Sequence, residues 1–329
     1  MEFLEEVADE EIIQDYEDIP DASIEKLQPP SKFRTLLPVI IMLTIIVVTW
    51  ATPNVIGRYL SIQTNPLSPT QISALRYLPA SLTLLITCFV TKRGKLLFQT
   101  LKKKYLHLII ASLILTSFVL LQMFSVKYTA ASVSSFLLNV NPVITFVLSI
   151  FILKEKHRWW GTLGVIVAAV GVFFIAVPLN ELDQIISSEN MLGNLLAFLS
   201  GVAWAVYSIY LKKFLQEEDF IVTSTWNLTI SSVILVIVMF IVDGWFTITP
   251  AVTDILLTTF MGIVPTAISF TLWFETIKRI PVQKASVFQF LIPIIATIFA
   301  VIFLPETIGW QFGLGAGLIL AGLIVTQLS

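Results

Sequence analysis

Leu153–Gly171, LKEKHRWWGTLGVIVAAVG, has a second copy at 304–322, LPETIGWQFGLGAGLILAG. Glu155, Trp159, Gly164 and Gly171 return as Glu306, Trp310, Gly315 and Gly322, each 151 residues further on. Working outward, the same offset joins Pro142 to Pro293, Ser135 to Ser286 and Lys127 to Lys278. Chance matches between apolar stretches pair one aliphatic residue with another. Pro, Trp and Glu at one constant offset mark a duplication, and an internal repeat outranks most other signals of architecture. The number of membrane spans in one copy then decides the fold, because an odd number turns the second copy upside down.

The chain is 56% hydrophobic and 13% charged, against about a quarter charged in soluble domains; its mean hydropathy is +0.88. Ten apolar runs match the roughly 20 residues a membrane helix needs. They are 38–58, 70–91, 106–126, 131–153, 159–178, 191–212, 221–242, 252–275, 283–304 and 309–328. The runs are continuously apolar rather than alternating, which predicts helices and not barrel strands. Cys88 is the only cysteine, so no intramolecular disulfide forms. Eleven carboxylates between Glu2 and Glu25 face a single Lys26. That stretch lacks the basic start and apolar core of a signal peptide. Residues 1–37 are expected to form an acidic, solvated tail, with a regulatory or lid role as the alternative.

With the N-terminus cytoplasmic, seventeen of the twenty basic residues fall in cytoplasmic segments; Arg58 and Lys127 lie opposite, and Arg76 lies within the second span. Short loops rich in Lys and Arg stay cytoplasmic, which predicts N- and C-termini on that side and supports ten as the span count. Each copy then holds five spans, in 38–178 and 191–328. The segment from Lys154 to Trp159 carries Lys154, Lys156 and Arg158, whereas its counterpart from Pro305 to Trp310 carries no positive charge. The expected fold is an all-α polytopic membrane protein of ten helices in two inverted five-helix repeats, a construction typical of secondary transporters.

These residues resemble a known family. Ala130-Ala131-Ser132-Val133 through Asn141-Pro142, then Leu153-Lys154-Glu155, Gly164 and Gly171, are similar to the EamA domain of the drug/metabolite transporter superfamily. The second copy matches at Ala285-Ser286, Pro293, Pro305-Glu306, Gly315 and Gly322, with further matches at Leu75-Arg76-Tyr77-Leu78 and Gly201-Val202-Ala203-Trp204-Ala205. The resemblance spans about residues 38–328. It implies a central cavity lined mainly by the first, third, fourth, sixth, eighth and ninth spans, and solute export in many members.

Trp50 and Asn54 lie one turn apart on the first span, and Trp204 and Tyr207 form a matching pair on the sixth. Gln122, Asn139, Trp273 and Gln289 supply polar or aromatic groups on the third, fourth, eighth and ninth spans. Aromatic walls with a few amides suit an amphipathic organic solute; an interfacial aromatic belt with interhelical hydrogen bonds is the alternative. Glu275 pairs with Lys278 or Arg279, or serves as a coupling carboxylate in the site. Arg76 is expected to snorkel or to meet a helix end. Glu155 and Glu306 are expected to pair locally or to end their helices. Pro142 and Pro293 are hinges for alternating access, or static kinks. Gly164, Gly171, Gly315, Gly317 and Gly322 indicate close helix packing, between the repeats or between protomers of a homodimer. Asn227-Leu228-Thr229 matches a glycosylation acceptor inside a span, where it is inert.

His107 and His157 have no metal-ligand spacing, and no Gly-rich phosphate loop occurs, so no metal, cofactor, nucleic acid or enzyme activity is expected. The expected function is a secondary transporter in a lipid bilayer, placed at the plasma membrane. It would export small organic solutes, amino-acid-like or amphipathic, with protons as a candidate coupling ion. Alternatives are a transporter of phosphorylated or nucleotide-linked sugars and a non-transporting sensor or scaffold. The scarcity of basic residues near the cavity argues against the anionic sugars.

Overall fold

The computed structural model describes residues 32–61, 66–129, 131–156, 158–176, 190–244, 250–303 and 309–328. Two compact units divide the chain, Met1–Ile41 and Met42–Ser329. In the first, the description begins with the helix at Lys32; the acidic residues from Glu2 to Glu25 lie outside the described residues, as do His157 and Glu306. The side chains of Asn54, Arg58 and Lys127 lie outside them too.

Among the described residues, ten helices are long and apolar enough to cross a membrane. In chain order the spans are Leu37–Gly57, Pro69–Val90, Gly94–Ser125, Val133–Leu153, Trp159–Ala176, Met191–Leu215, Phe220–Asp243, Val252–Arg279, Val282–Phe303 and Trp310–Gln327. Nine agree with the sequence bounds to within a few residues. The third starts far earlier than expected, because Lys95 and Lys102 to Lys104 belong to the helix Gly94–Tyr128 rather than to a loop. A non-helical Lys104 (φ −126°, ψ 17°) bends that helix where the charged stretch meets the apolar one, and the long lysine stems carry their charges toward water.

The fifth and tenth spans cross where the repeated glycines lie. An ideal Cβ on Gly164 would fall 2.6 Å from the Gly322 carbonyl oxygen, and one on Gly171 would fall 2.6 Å from that of Gly315. Gly164 is the repeat counterpart of Gly315, and Gly171 of Gly322. Each glycine therefore meets the counterpart of the other, with the helices antiparallel, as expected of two copies related by a two-fold axis. Small residues let the backbones approach this closely. Gly317 departs from the packing expectation: nothing lies within 4 Å of a Cβ built there.

Both spans that carry the repeated prolines are interrupted. The fourth is helical over Ala131–Leu138 and again over Asn141–Leu148. The ninth is helical over Val282–Val287, tightens to a 3₁₀ turn at Phe288–Leu291, and resumes at Ile292–Phe303. Pro142 and Pro293 thus sit second in the resuming segments, where a missing N–H costs little. They begin new helical segments rather than bend continuous ones.

Glu155 does not pair locally as expected. Its two carboxylate oxygens accept from the backbone N–H groups of Val282 and Gln283, at 2.9 and 3.2 Å. It therefore caps the start of the ninth span from the end of the fourth, satisfying orphan donors at the positive end of a helix. On the same side of the bundle, Arg93 pairs with Asp219 and Lys103 with Glu218, each at 3.1 Å.

Candidate substrate cavity

The site is built around a wide turn in the eighth span. Pro265 cannot donate a backbone N–H, and the helix opens there into a π-turn over Ile263–Ile268. Two consequences follow. The carbonyl of Met261, four residues before the proline, accepts instead from the Thr266 hydroxyl at 2.8 Å. The Ser269 N–H reaches back to Val264, so the Pro265 carbonyl is free to accept from the Trp50 indole at 2.9 Å. One local irregularity thereby orients a tryptophan of the first span and a hydroxyl of the eighth. Thr266 in turn accepts from Nε of Arg76 at 2.6 Å.

Trp50, Pro53, Arg76, Phe118, Gln122, Leu138, Asn139, Asn141, Trp204, Phe270, Gln289 and Ile292 line a cavity of about 90 Å³. They come from the first, second, third, fourth, sixth, eighth and ninth spans, so both copies contribute. Leu138 and Gln289 occupy equivalent positions in the two copies, as do Asn141 and Ile292. The two helix interruptions therefore meet at the cavity with polar and apolar residues exchanged.

The walls are aromatic. Trp50 meets Trp204 edge to face at 5.1 Å and Phe270 at 5.7 Å, and Phe118 lies 5.1 Å from Trp204. Such pairs contribute about 0.5–1.5 kcal/mol each beyond their burial. The indole N–H groups are already engaged: Trp204 donates to Oε1 of Gln289 at 3.1 Å, and Trp273 donates to the Ser208 hydroxyl at 3.1 Å. What the tryptophans offer a solute is ring surface.

Several polar atoms have no partner among the described residues. Nε2 of Gln289 and Oδ1 of Asn141 are buried and unbonded. An indole only donates, so the Gln289 atom facing Trp204 is its oxygen and the unbonded atom is its NH₂. The Asn141 NH₂ donates to the Leu138 carbonyl at 3.1 Å, which leaves the oxygen as the unbonded atom.

A matching family model covers residues 37–177 and 191–328, one stretch for each copy. The chain belongs to the EamA-like transporter family. An uncharacterized transporter of Clostridium kluyveri is 27% identical over 88% of this chain and 93% of its own length. Two uncharacterized transporters of Bacillus subtilis are also similar. YoaV is 26% identical over 79% of this chain and 88% of its own, and YvbV is 30% identical over 68% and 70%. A crystal structure of a protein superposes with a TM-score of 0.76 over 88% of this chain and 97% of that one, at 16% identity, which shows the fold alone. This EamA protein is an integral, multi-pass membrane protein whose ten spans sit in a lipid bilayer.

Five residues expected in the EamA cavity line it: Trp50, Gln122, Asn139, Trp204 and Gln289. Tyr207 and Trp273 stand behind the wall. The Tyr207 hydroxyl accepts from Asn227 at 3.2 Å, and Trp273 packs against Trp50 at 5.6 Å. Asn227 is itself buried within the bundle, out of reach of glycosylation. Glu275 is outside the lining and takes the ion-pair alternative, meeting Arg279 at 2.5 Å. The side chain of Asn54 is outside the described residues.

Arg76 overturns its expectation. Instead of snorkelling, its side chain lies in the cavity wall, bonded to Thr266 and 5.7 Å from the Tyr77 ring centre. Depth along the span could not disclose this; the direction of the side chain did. Asn141 was also missed, although the Pro beside it marked the interruption that exposes it.

A larger groove of about 660 Å³ lies between Thr52, Tyr59, Leu256, Phe260, Phe299 and Phe303. Its lining is largely apolar, with Thr52, Tyr59 and Thr253 as its polar side chains.

Proposed function

We propose that the protein is a secondary transporter that exports small amphipathic organic solutes by alternating access between two inverted five-helix repeats. The observation that carries this reading is the central cavity, where residues of both copies converge at the two interrupted helices. Broken helices at a repeat interface are the usual location of a transporter site. At about 90 Å³ the cavity is smaller than the 300–1,000 Å³ typical of a drug-sized ligand, so in this scheme it widens to admit its solute. The positive-charge bias supports N- and C-termini in the cytoplasm, and the plasma membrane is the proposed location. Protons are the proposed coupling ion.

Pro142 and Pro293 act in this scheme as hinges, since they sit second in the resuming helical segments. The test is a solute screen with the purified protein in proteoliposomes, with and without a pH gradient. Accumulation of an amphipathic solute driven by the gradient is the expected result. Absence of flux for amino acids, amines, organic acids and aromatic drugs alike would reject transport. Pro142→Ala and Pro293→Ala are expected to slow flux while leaving solute affinity intact; unchanged rates would reject the hinges.

A further inference from the structure

We infer that the cavity selects an anionic head group, the carboxylate of a small organic acid, with Arg76 and Gln289 as its donors. This rests on the transport reading and names the class of solute. Arg76 carries a permanent charge. Its Nε donates to Thr266 at 2.6 Å, its terminal nitrogens bond to no described residue, and the residue lines the cavity. None of the described acidic residues lines the cavity. An uncompensated guanidinium inside a membrane bundle is costly, and a small anion removes that cost.

Gln289 points the same way independently. It is only 3% exposed, lines the same cavity, and holds an NH₂ that bonds to no described residue. A guanidinium and an amide NH₂ on two residues that line one cavity form a set of donors matched to a carboxylate. Asn141 adds an unbonded acceptor, suited to an N–H or O–H elsewhere on the solute. Among the described residues Arg76 is the only cationic one in the lining, which matches a monoanion rather than a phosphate dianion. The faces of Trp50, Trp204 and Phe270 receive the apolar body and separate this site from one for an inorganic ion.

The experiment uses the full chain in lipid nanodiscs and three probes: 3-phenylpropionate, its neutral isostere 3-phenylpropanamide, and sodium chloride. Binding is followed by tryptophan fluorescence and by thermal shift. The wild type is expected to bind the acid about tenfold or more tighter than the amide, the range a charge-assisted hydrogen bond gives. Arg76→Gln is expected to bring the acid-to-amide ratio to about one. Gln289→Glu, which supplies Arg76 with an internal carboxylate, is expected to do the same should Arg76→Gln fold poorly. A wild-type ratio near one, no binding of either organic probe, or a ratio that survives both substitutions overturns the inference. So does chloride binding that depends on Arg76 and is not displaced by the acid. Selective acid binding without flux in proteoliposomes would reject transport and keep this site. Flux of neutral solutes without acid preference would do the reverse.

Discussion

Gly171 and Gly315 face each other so closely that an ideal Cβ on either would lie 2.6 Å from the carbonyl oxygen of the other. The obstacle on both sides is backbone, which cannot rotate away. Gly171→Ala or Gly315→Ala must push the fifth and tenth spans apart, at a cost of about 1–3 kcal/mol. Gly317 lies on the same helix with open space around it, so Gly317→Ala should gain about 0.4–1 kcal/mol through the unfolded chain. Melting curves of the detergent-solubilised protein check the contrast. Equal shifts for the three variants would refute the tight crossing.

Glu155 bridges the copies, reaching from the end of the fourth span to the first N–H groups of the ninth. Glu155→Ala removes both bonds and should cost about 0.5–2 kcal/mol, the range for a lost helix cap. Glu155→Gln keeps one acceptor and loses the charge, so its melting temperature should fall between those of the wild type and the alanine variant. Were the residue merely pairing with neighbouring lysines, added salt would abolish the difference between Glu155→Gln and the wild type.

Much of this fold is legible in the sequence because its cause is local. Hydropathy set nine of the ten spans nearly to their ends, and the constant offset found the glycines that cross. The third span was cut short because Lys102, Lys103 and Lys104 read as a loop, whereas long side chains let a helix run on past the apolar layer. The site was legible only in part. Composition picks out Trp50, Gln122, Asn139, Trp204 and Gln289 because polar and large aromatic residues are few in these spans. It says nothing of direction within a helix that is apolar on every side. Trp273 therefore turned out to support the wall instead of lining it, and Arg76, dismissed by its depth, turned inward. Pro265 had no part in the sequence reading, and its consequence depends on Trp50 and Thr266 being packed against the turn.

Gln289 holds the Trp204 indole in place with one atom and leaves the other free. Gln289→Leu removes the acceptor and orphans the buried indole N–H, which should cost about 1–3 kcal/mol. Trp204→Phe removes the donor, after which further substitution of Gln289 to Leu should cost less. A double-mutant cycle read by thermal melting measures that coupling. Strict additivity would show that the bond contributes nothing.

Pro265→Ala tests whether the wide turn organises the cavity. The alanine restores an N–H that can bond the Met261 carbonyl, in competition with the Thr266 hydroxyl that now holds it. A regular turn would also return the Ser269 N–H to the carbonyl at position 265, taking away the acceptor of Trp50. Removing proline from a helix interior favours the helix by about 3 kcal/mol, and orphaning the indole costs about 1–3 kcal/mol. The two nearly cancel, so the melting temperature should change little. The cavity should change much more: with Trp50 unheld and Thr266 turned from Arg76, solute affinity is expected to fall about tenfold and the tryptophan emission to shift. Unaltered affinity and emission would mean that Trp50 and Arg76 are positioned without help from the turn.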